Sequence, residues 1–301
     1  MLNDKIRNYL HLHLIVFIWG FTAILGALIT LGAEKLVWYR MSMALILMFI
    51  YVRVVKKEKL IFPPKVLAKF LLGGFLISSH WLAFFLAIKV SNVSVTLATI
   101  STGAFFASVL EPLFYRRRIV LYELLFGIMV IIGLYTIFKV ETQYTLGILL
   151  SLLAALLSAL FSILNGKLVQ KHKASVISLY EIGFGVLCLT VYIAFTKGFD
   201  ASFFNVSSAD WGYLLLLASV CTAYAFIASV HVMRWISPYS VMLTINLEPV
   251  YGILMALLIF GEEESMSPNF YYGALIILVT VILNGIIKTR IERKRKRLYT
   301  T

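Results

Sequence analysis

Charge is scarce in this sequence: 14% of its 301 residues are Asp, Glu, Lys or Arg, while 61% are apolar. Ordinary globular domains carry about 25% charged and 45–50% apolar residues, which excludes a typical soluble enzyme and a disordered chain. Cysteine is almost missing. Cys188 and Cys221 both fall inside apolar runs, which excludes a disulfide scaffold and leaves two small buried hydrophobes. Acidic residues are outnumbered, 14 against 27 Lys and Arg, for a formal net charge of +13. A nucleic-acid binder would need those cations on a soluble face, and no stretch of the chain supplies one. Enzyme signatures are missing too: there is no HExxH, Walker A loop, GxSxG elbow or suitable aspartate pair. Ser78, Ser79 and His80 are neighbours, but successive helical residues point about 100° apart and cannot form a nucleophile and base. No enzymatic activity, metal or cofactor is expected.

What the chain does have is long apolar runs. A helix needs roughly 20 residues, at 1.5 Å rise each, to cross about 30 Å of hydrocarbon. Ten such segments are present, at 11–31, 34–55, 66–90, 93–115, 119–138, 147–167, 175–196, 211–232, 239–260 and 269–288, taking up 218 residues. The nine links between them run from 2 to 14 residues, too short for an extramembrane domain. Continuous runs such as 124–138 lack the alternation of a membrane β-barrel, so helices are the remaining way to satisfy the backbone in lipid. The first segment follows Lys5 and Arg7 but is too long for a signal-peptide core, and it is read as a retained helix. The expected fold is an all-α integral membrane protein with ten transmembrane helices.

The basic residues orient it. With both termini in the cytoplasm, 22 of the 27 fall on that side, and only Lys35, Arg40, Lys89, Lys139 and Lys197 lie in the opposite half. That asymmetry is a positive-inside signal. The tail after the last segment, 289–301, is rich in Lys and Arg and is read as touching anionic lipid headgroups rather than RNA.

The two halves resemble each other. Residues 91–133 lie on 237–279 with a constant offset of 146, pairing Ser91 with Ser237, Ser94 with Ser240, Val95 with Val241, Gly127 with Gly273 and Ile131 with Ile277. Five helices per half is an odd number, so the second half (147–288) enters the membrane inverted relative to the first (11–138). Inverted repeats are a construction of secondary transporters, with the site between the halves. Leu110-Glu111-Pro112 and Leu247-Glu248-Pro249 look alike, yet the register pairs Glu248 with Thr102 and Pro249 with Gly103.

Ionisable groups deep in a membrane are costly and need a reason. Glu248, beside Asn246, sits near mid-membrane on a helix interrupted by Pro249, which frees backbone for a ligand; a kink with a locally satisfied acid is the alternative. His80 is mid-span, either binding or packing. Glu181 is read as pairing with Lys173 or the headgroup region, Arg40 as snorkelling from the outer end of its helix, and Glu111 as bridging Arg116–Arg118. Among the aromatics, Trp19, Trp81, Tyr224 and Tyr251 stand out, with packing as the alternative for each. In the sixth segment Ser151, Ala155 and Ala159, with Ala154, Ser158 and Ser162, form a small-residue strip for close helix contact.

Trp19-Gly20, His80-Trp81, Leu247-Glu248-Pro249-Val250, Gly261-Glu262 and Gly273, in this order within ten segments, resemble the drug/metabolite transporter superfamily, EamA type. The resemblance implies two EamA repeats, cytoplasmic termini and a central cavity lined by the first, third, fourth, sixth, eighth and ninth helices. It also implies export or exchange of small metabolites by alternating access. The first half departs from the pattern, with Gly103 and Tyr115-Arg116 where proline and Gly-Glu are expected. The expected substrate-binding set is Trp19, His80, Trp81, Thr102, Tyr224, Asn246, Glu248 and Tyr251, with Glu248 or His80 carrying a coupling proton. The expected location is a bacterial inner membrane, and the partners are lipids and a small substrate, with amino acids or their derivatives as the leading class. Assembly as a homodimer is left open, and a non-transporting membrane scaffold is the alternative function.

Overall fold

The computed structural model describes residues 4–116, 121–140, 142–196 and 198–298, and every regular element among them is helical. In chain order the rods are α1 (Asp4–Leu28), α2 (Ala33–Val55), α3 (Pro64–Val90), α4 (Val93–Phe114), α5 (Leu121–Val140), α6 (Thr142–Leu168), α7 (Ala174–Thr196), α8 (Ser208–Val232), α9 (Pro238–Glu264) and α10 (Pro268–Leu298). Among the described residues, eight helices are long and apolar enough to cross a membrane. In α5 and α10 the apolar stretches are shorter, Leu125–Ile137 and Pro268–Asn284. The first is bracketed by Glu123 and Lys139, and the second stops ahead of the charged run from Lys288.

Helix starts follow local chemistry. The side chains of Asn92, Ser207 and Ser237 each accept a hydrogen bond from the backbone N–H three residues on, satisfying a donor that the helix cannot. Pro64 and Pro238 occupy first-turn positions, where a missing N–H costs nothing.

Two rods are broken. α4 divides into Val93–Ile100 and Gly103–Phe114, and α9 into Pro238–Ile245 and Glu248–Phe260. Pro249 explains the second break, because it cannot donate to the Ile245 carbonyl and the chain tightens before it, Leu247 N–H bonding to Thr244 O at 3.1 Å. At the first break Ser101 and Thr102 turn their hydroxyls back onto Ala98 O at 2.6 Å and Thr99 O at 2.8 Å, competing with the helical ladder. With the 146-residue offset, the two interruptions fall within one residue of each other. Two further irregularities are π turns, Ile50–Val55 ending α2 and Ser219–Tyr224 inside α8.

The small-residue strip of α6 is buried, and α3, α4 and α9 all pack on that helix. Large apolar side chains such as Phe195, Leu258 and Leu125 stay on the outside, as lipid contact requires.

The loops gather at two ends. At the basic end Lys173 bridges Glu58 at 2.7 Å, and Arg234 donates to His172 O at 3.0 Å. Lys173 is therefore not the partner of Glu181. That carboxylate is fully buried and accepts from Asn165 Nδ2 at 3.0 Å, because α7 presses it against Gly73 of α3, away from the loops. Glu111 is also buried and accepts from the backbone N–H of Tyr239 at 2.8 Å; of its expected partners, Arg117 and Arg118 lie outside the described residues. At the opposite end Asp210 accepts from Thr30 N–H at 2.8 Å and Thr30 Oγ1–H at 2.6 Å, tying α8 to the α1–α2 link. Cys221 is buried and Cys188 half-buried, both as free thiols.

Candidate functional site

A cavity of about 70 Å³ lies among α1, α2, α3, α4, α6, α8 and α9. That is room for on the order of five water molecules. Its polar wall includes Trp19, Thr22, Arg40, His80, Ser158 and Glu248, and its apolar wall includes Trp81, Phe84, Phe161 and Phe226.

Each polar group arrives by a local device. The π turn of α8 exposes the Cys221 carbonyl, which accepts from Trp19 Nε1 at 3.2 Å. The same turn presents Thr222 Oγ1, which donates to Leu217 O at 2.7 Å and accepts from Arg40 Nε at 2.6 Å. The Arg40 guanidinium lies 4.0 Å from the Trp81 ring centroid and 5.3 Å from that of Phe85, a stacked cation–π arrangement. His80 uses Nδ1–H to donate to Ala154 O at 2.8 Å, an orientation in which Nδ1 carries hydrogen. The small side chains of α6 bring that carbonyl within reach. Glu248 begins the second half of α9, where a carboxylate complements the positive end of the helix.

Two charged groups are left incomplete. Arg40 is 1% exposed, yet its Nη1 has no hydrogen-bond partner. Glu248 is 8% exposed, and no described residue donates a hydrogen bond to its carboxylate. Both line the cavity, and no hydrogen bond joins them.

Of the eight residues expected to bind substrate, Trp19, His80, Trp81 and Glu248 line this cavity. The other four lie elsewhere. Thr102 is buried at the α4 break, bonded to its own helix, and Asn246 is buried at the α9 break with Nδ2 unpartnered. Tyr251 packs edge-on to Phe17, ring centroids 5.4 Å apart. Tyr224 is 44% exposed and shares a hydrogen bond with His11 Nε2 at 2.8 Å on a surface groove. The residue that sequence reasoning misplaced is Arg40. It does not snorkel. Arg40 lies two helical turns inside α2, about 10 Å from its end at 1.5 Å per residue, and its side chain turns inward over Trp81.

The EamA-like transporter family model matches residues 7–139 and again 145–286. The chain belongs to the EamA-like transporter family. It is a membrane transporter of the drug/metabolite type built from two EamA repeats, and members of this family are transporters rather than enzymes. No curated protein matches it in sequence. A solved crystal structure of another protein has the same fold, with a TM-score of 0.67 at 14% identity, covering 95% of this chain and 99% of the other.

Proposed function

We propose that this EamA-family transporter is a secondary transporter of small organic metabolites, working as an exporter or exchanger by alternating access. In this reading all ten helices cross a bacterial inner membrane, both termini are cytoplasmic, and residues 11–138 and 147–288 form inverted five-helix halves. The two halves rock about the central cavity and open it to each side in turn. The observation that carries the reading is a cavity between the two halves, lined by a buried, incompletely paired Arg40 and by the buried Glu248 beside a broken helix. Such groups are expensive in a membrane and are retained where a ligand completes them. Glu248 is the coupling carboxylate in this scheme. His80, with Nδ1 committed to Ala154 O, offers Nε2 to the substrate.

The test is flux through the purified protein in proteoliposomes, with and without an imposed proton gradient, using compounds to which an overexpressing strain becomes resistant. Saturable uptake or exchange of such a compound supports the reading. A chain that moves none of them is the scaffold of the alternative.

A further inference from the structure

We propose that Arg40 is a specificity-determining residue that binds the carboxylate of the substrate, so that this cavity takes zwitterions, with Glu248 receiving the ammonium group. The inference rests on the transporter reading above and narrows its substrate class. Arg40 is the one cation lining the cavity among the described residues. Its geometry is fixed from two sides: Nε donates to Thr222 Oγ1 at 2.6 Å and the guanidinium face rests on Trp81 at 4.0 Å. Held this way, it keeps Nη1 buried with no partner. A guanidinium placed only to neutralise Glu248 would spend its donors on that carboxylate; here no hydrogen bond joins the two. Arg40, with one buried donor unfilled, and Glu248, which accepts no hydrogen bond from a described residue, line one cavity and fit a ligand that carries both charges. A ligand with only a carboxylate leaves Glu248 uncompensated, and one with only an amine leaves Arg40 so. In each case the missing group costs more than the contact it would have made.

The experiment uses the full chain in lipid nanodiscs and reads intrinsic fluorescence, since Trp19 and Trp81 line the cavity, together with thermal stabilisation. The probes are the protein amino acids at millimolar concentration, their carboxamides, which lack the carboxylate, and the matching α-hydroxy acids, which lack the amine. At least one neutral amino acid is expected to bind roughly ten- to hundredfold more tightly than both of its analogues, the range for one charge-assisted hydrogen bond. In Arg40→Gln the preference for acid over amide should vanish, and Arg40→Lys, which keeps the charge but not the fork, should retain part of it. Where Arg40→Gln does not fold, the neutral pair Arg40→Gln/Glu248→Gln replaces it, and there acid, amide and hydroxy acid should bind alike. Equal binding of acid and amide to the wild type overturns the proposal, as does an acid preference that survives in Arg40→Gln, or no binding by any amino acid. Proteoliposome flux separates the two readings. Transport of compounds without a carboxylate requirement sinks the role of Arg40 and leaves the transporter, whereas Arg40-dependent binding without any flux does the reverse.

Discussion

Glu111 Oε2 lies 2.8 Å from the backbone nitrogen of Tyr239, so the end of α4 caps the start of α9. The reciprocal contact stands at the opposite end of the molecule, where Glu264 Oε1 and Oε2 accept from the N–H groups of Val93 and Ser94, at 2.8 Å each, and the end of α9 caps the start of α4. Val93 and Tyr239 are 146 residues apart, the repeat offset. The first N–H groups of a helix have no partner within it, and a carboxylate there gains both hydrogen bonds and the favourable helix dipole. Glu111 thus does near the end of α4 what Glu264 does at the end of α9.

Three glutamates run together at 262–264, and only Glu264 is buried. Glu264→Gln puts an amide N–H₂ against one of the two backbone donors and should lower stability by about 2 kcal/mol, the scale for a hydrogen bond to a charged group. The same change at Glu262 or Glu263, both exposed, should stay within about 0.5 kcal/mol. Thermal unfolding of the purified variants checks this ranking, and equal sensitivity at all three positions would contradict the capping role.

Glu181 and Asn165 give a second test. Asn165 Nδ2 donates to Glu181 Oε2, while Asn165 Oδ1 and Glu181 Oε1 are both buried without partners. A glutamine at 181 can accept from Nδ2 and donate to Oδ1, forming a closed amide pair. Glu181→Gln is therefore expected to unfold at the same temperature as the wild type or above it. Glu181→Ala, which strands Asn165, should unfold below it by the equivalent of about 1–3 kcal/mol. A Gln variant as damaged as the Ala variant would mean that the ionised carboxylate itself is needed.

Apolar run length and charge placement made the helical rods and their order readable without coordinates, but of the ten expected spans only eight are long and apolar enough among the described residues, α5 and α10 carrying shorter apolar stretches. The α9 break was legible too, because proline has one physical consequence. What was hidden depends on which way a side chain turns. Arg40 can reach out or in, and only the Thr222 acceptor made available by the π turn of α8 decides for inward. Nothing in the Ser219–Tyr224 sequence announces an extra residue in that turn. Glu111 and Lys173 had plausible charged neighbours along the chain, but their partners Tyr239 and Glu58 lie 128 and 115 residues away. Tyr224 sits on a cavity-lining helix, whereas its side chain lines a surface groove.

Close packing of α3 on α7 rests on Gly74. A Cβ there would stand 2.6 Å from the Glu181 carbonyl oxygen and 2.8 Å from the Gly185 nitrogen, both backbone atoms that cannot swing aside. Gly74→Ala should force the helices apart, cost about 1–3 kcal/mol or more, and sharply reduce the yield of monodisperse protein. At Gly212, where an added Cβ meets nothing within 4 Å, the same change should have little effect on yield. A normal elution profile for Gly74→Ala would show that α3 and α7 are less tightly joined than these distances require.

Proton coupling through Glu248 is checked by Glu248→Gln, which keeps the shape and removes the titrating group. Exchange by this variant should need a higher substrate concentration, because the ammonium group loses its partner, and whatever flux remains should be the same with and without an imposed pH gradient. Gradient-driven accumulation at the wild-type level would exclude Glu248 as the coupling group and leave His80 as the remaining candidate.

Thr222 is the residue through which the fold positions Arg40. Thr222→Val is nearly isosteric but removes the acceptor, leaving a second N–H of a fully buried guanidinium unpaired beside Nη1. The expected loss is about 1–3 kcal/mol in stability. Thr222→Ser keeps an oxygen at the same place and should restore most of it. The guanidinium of the Val variant is free to slide off the Trp81 face, so the fluorescence of Trp81 should change in Thr222→Val and not in Thr222→Ser. An unchanged spectrum in both would mean that the rings of Trp81 and Phe85 alone hold Arg40 in place.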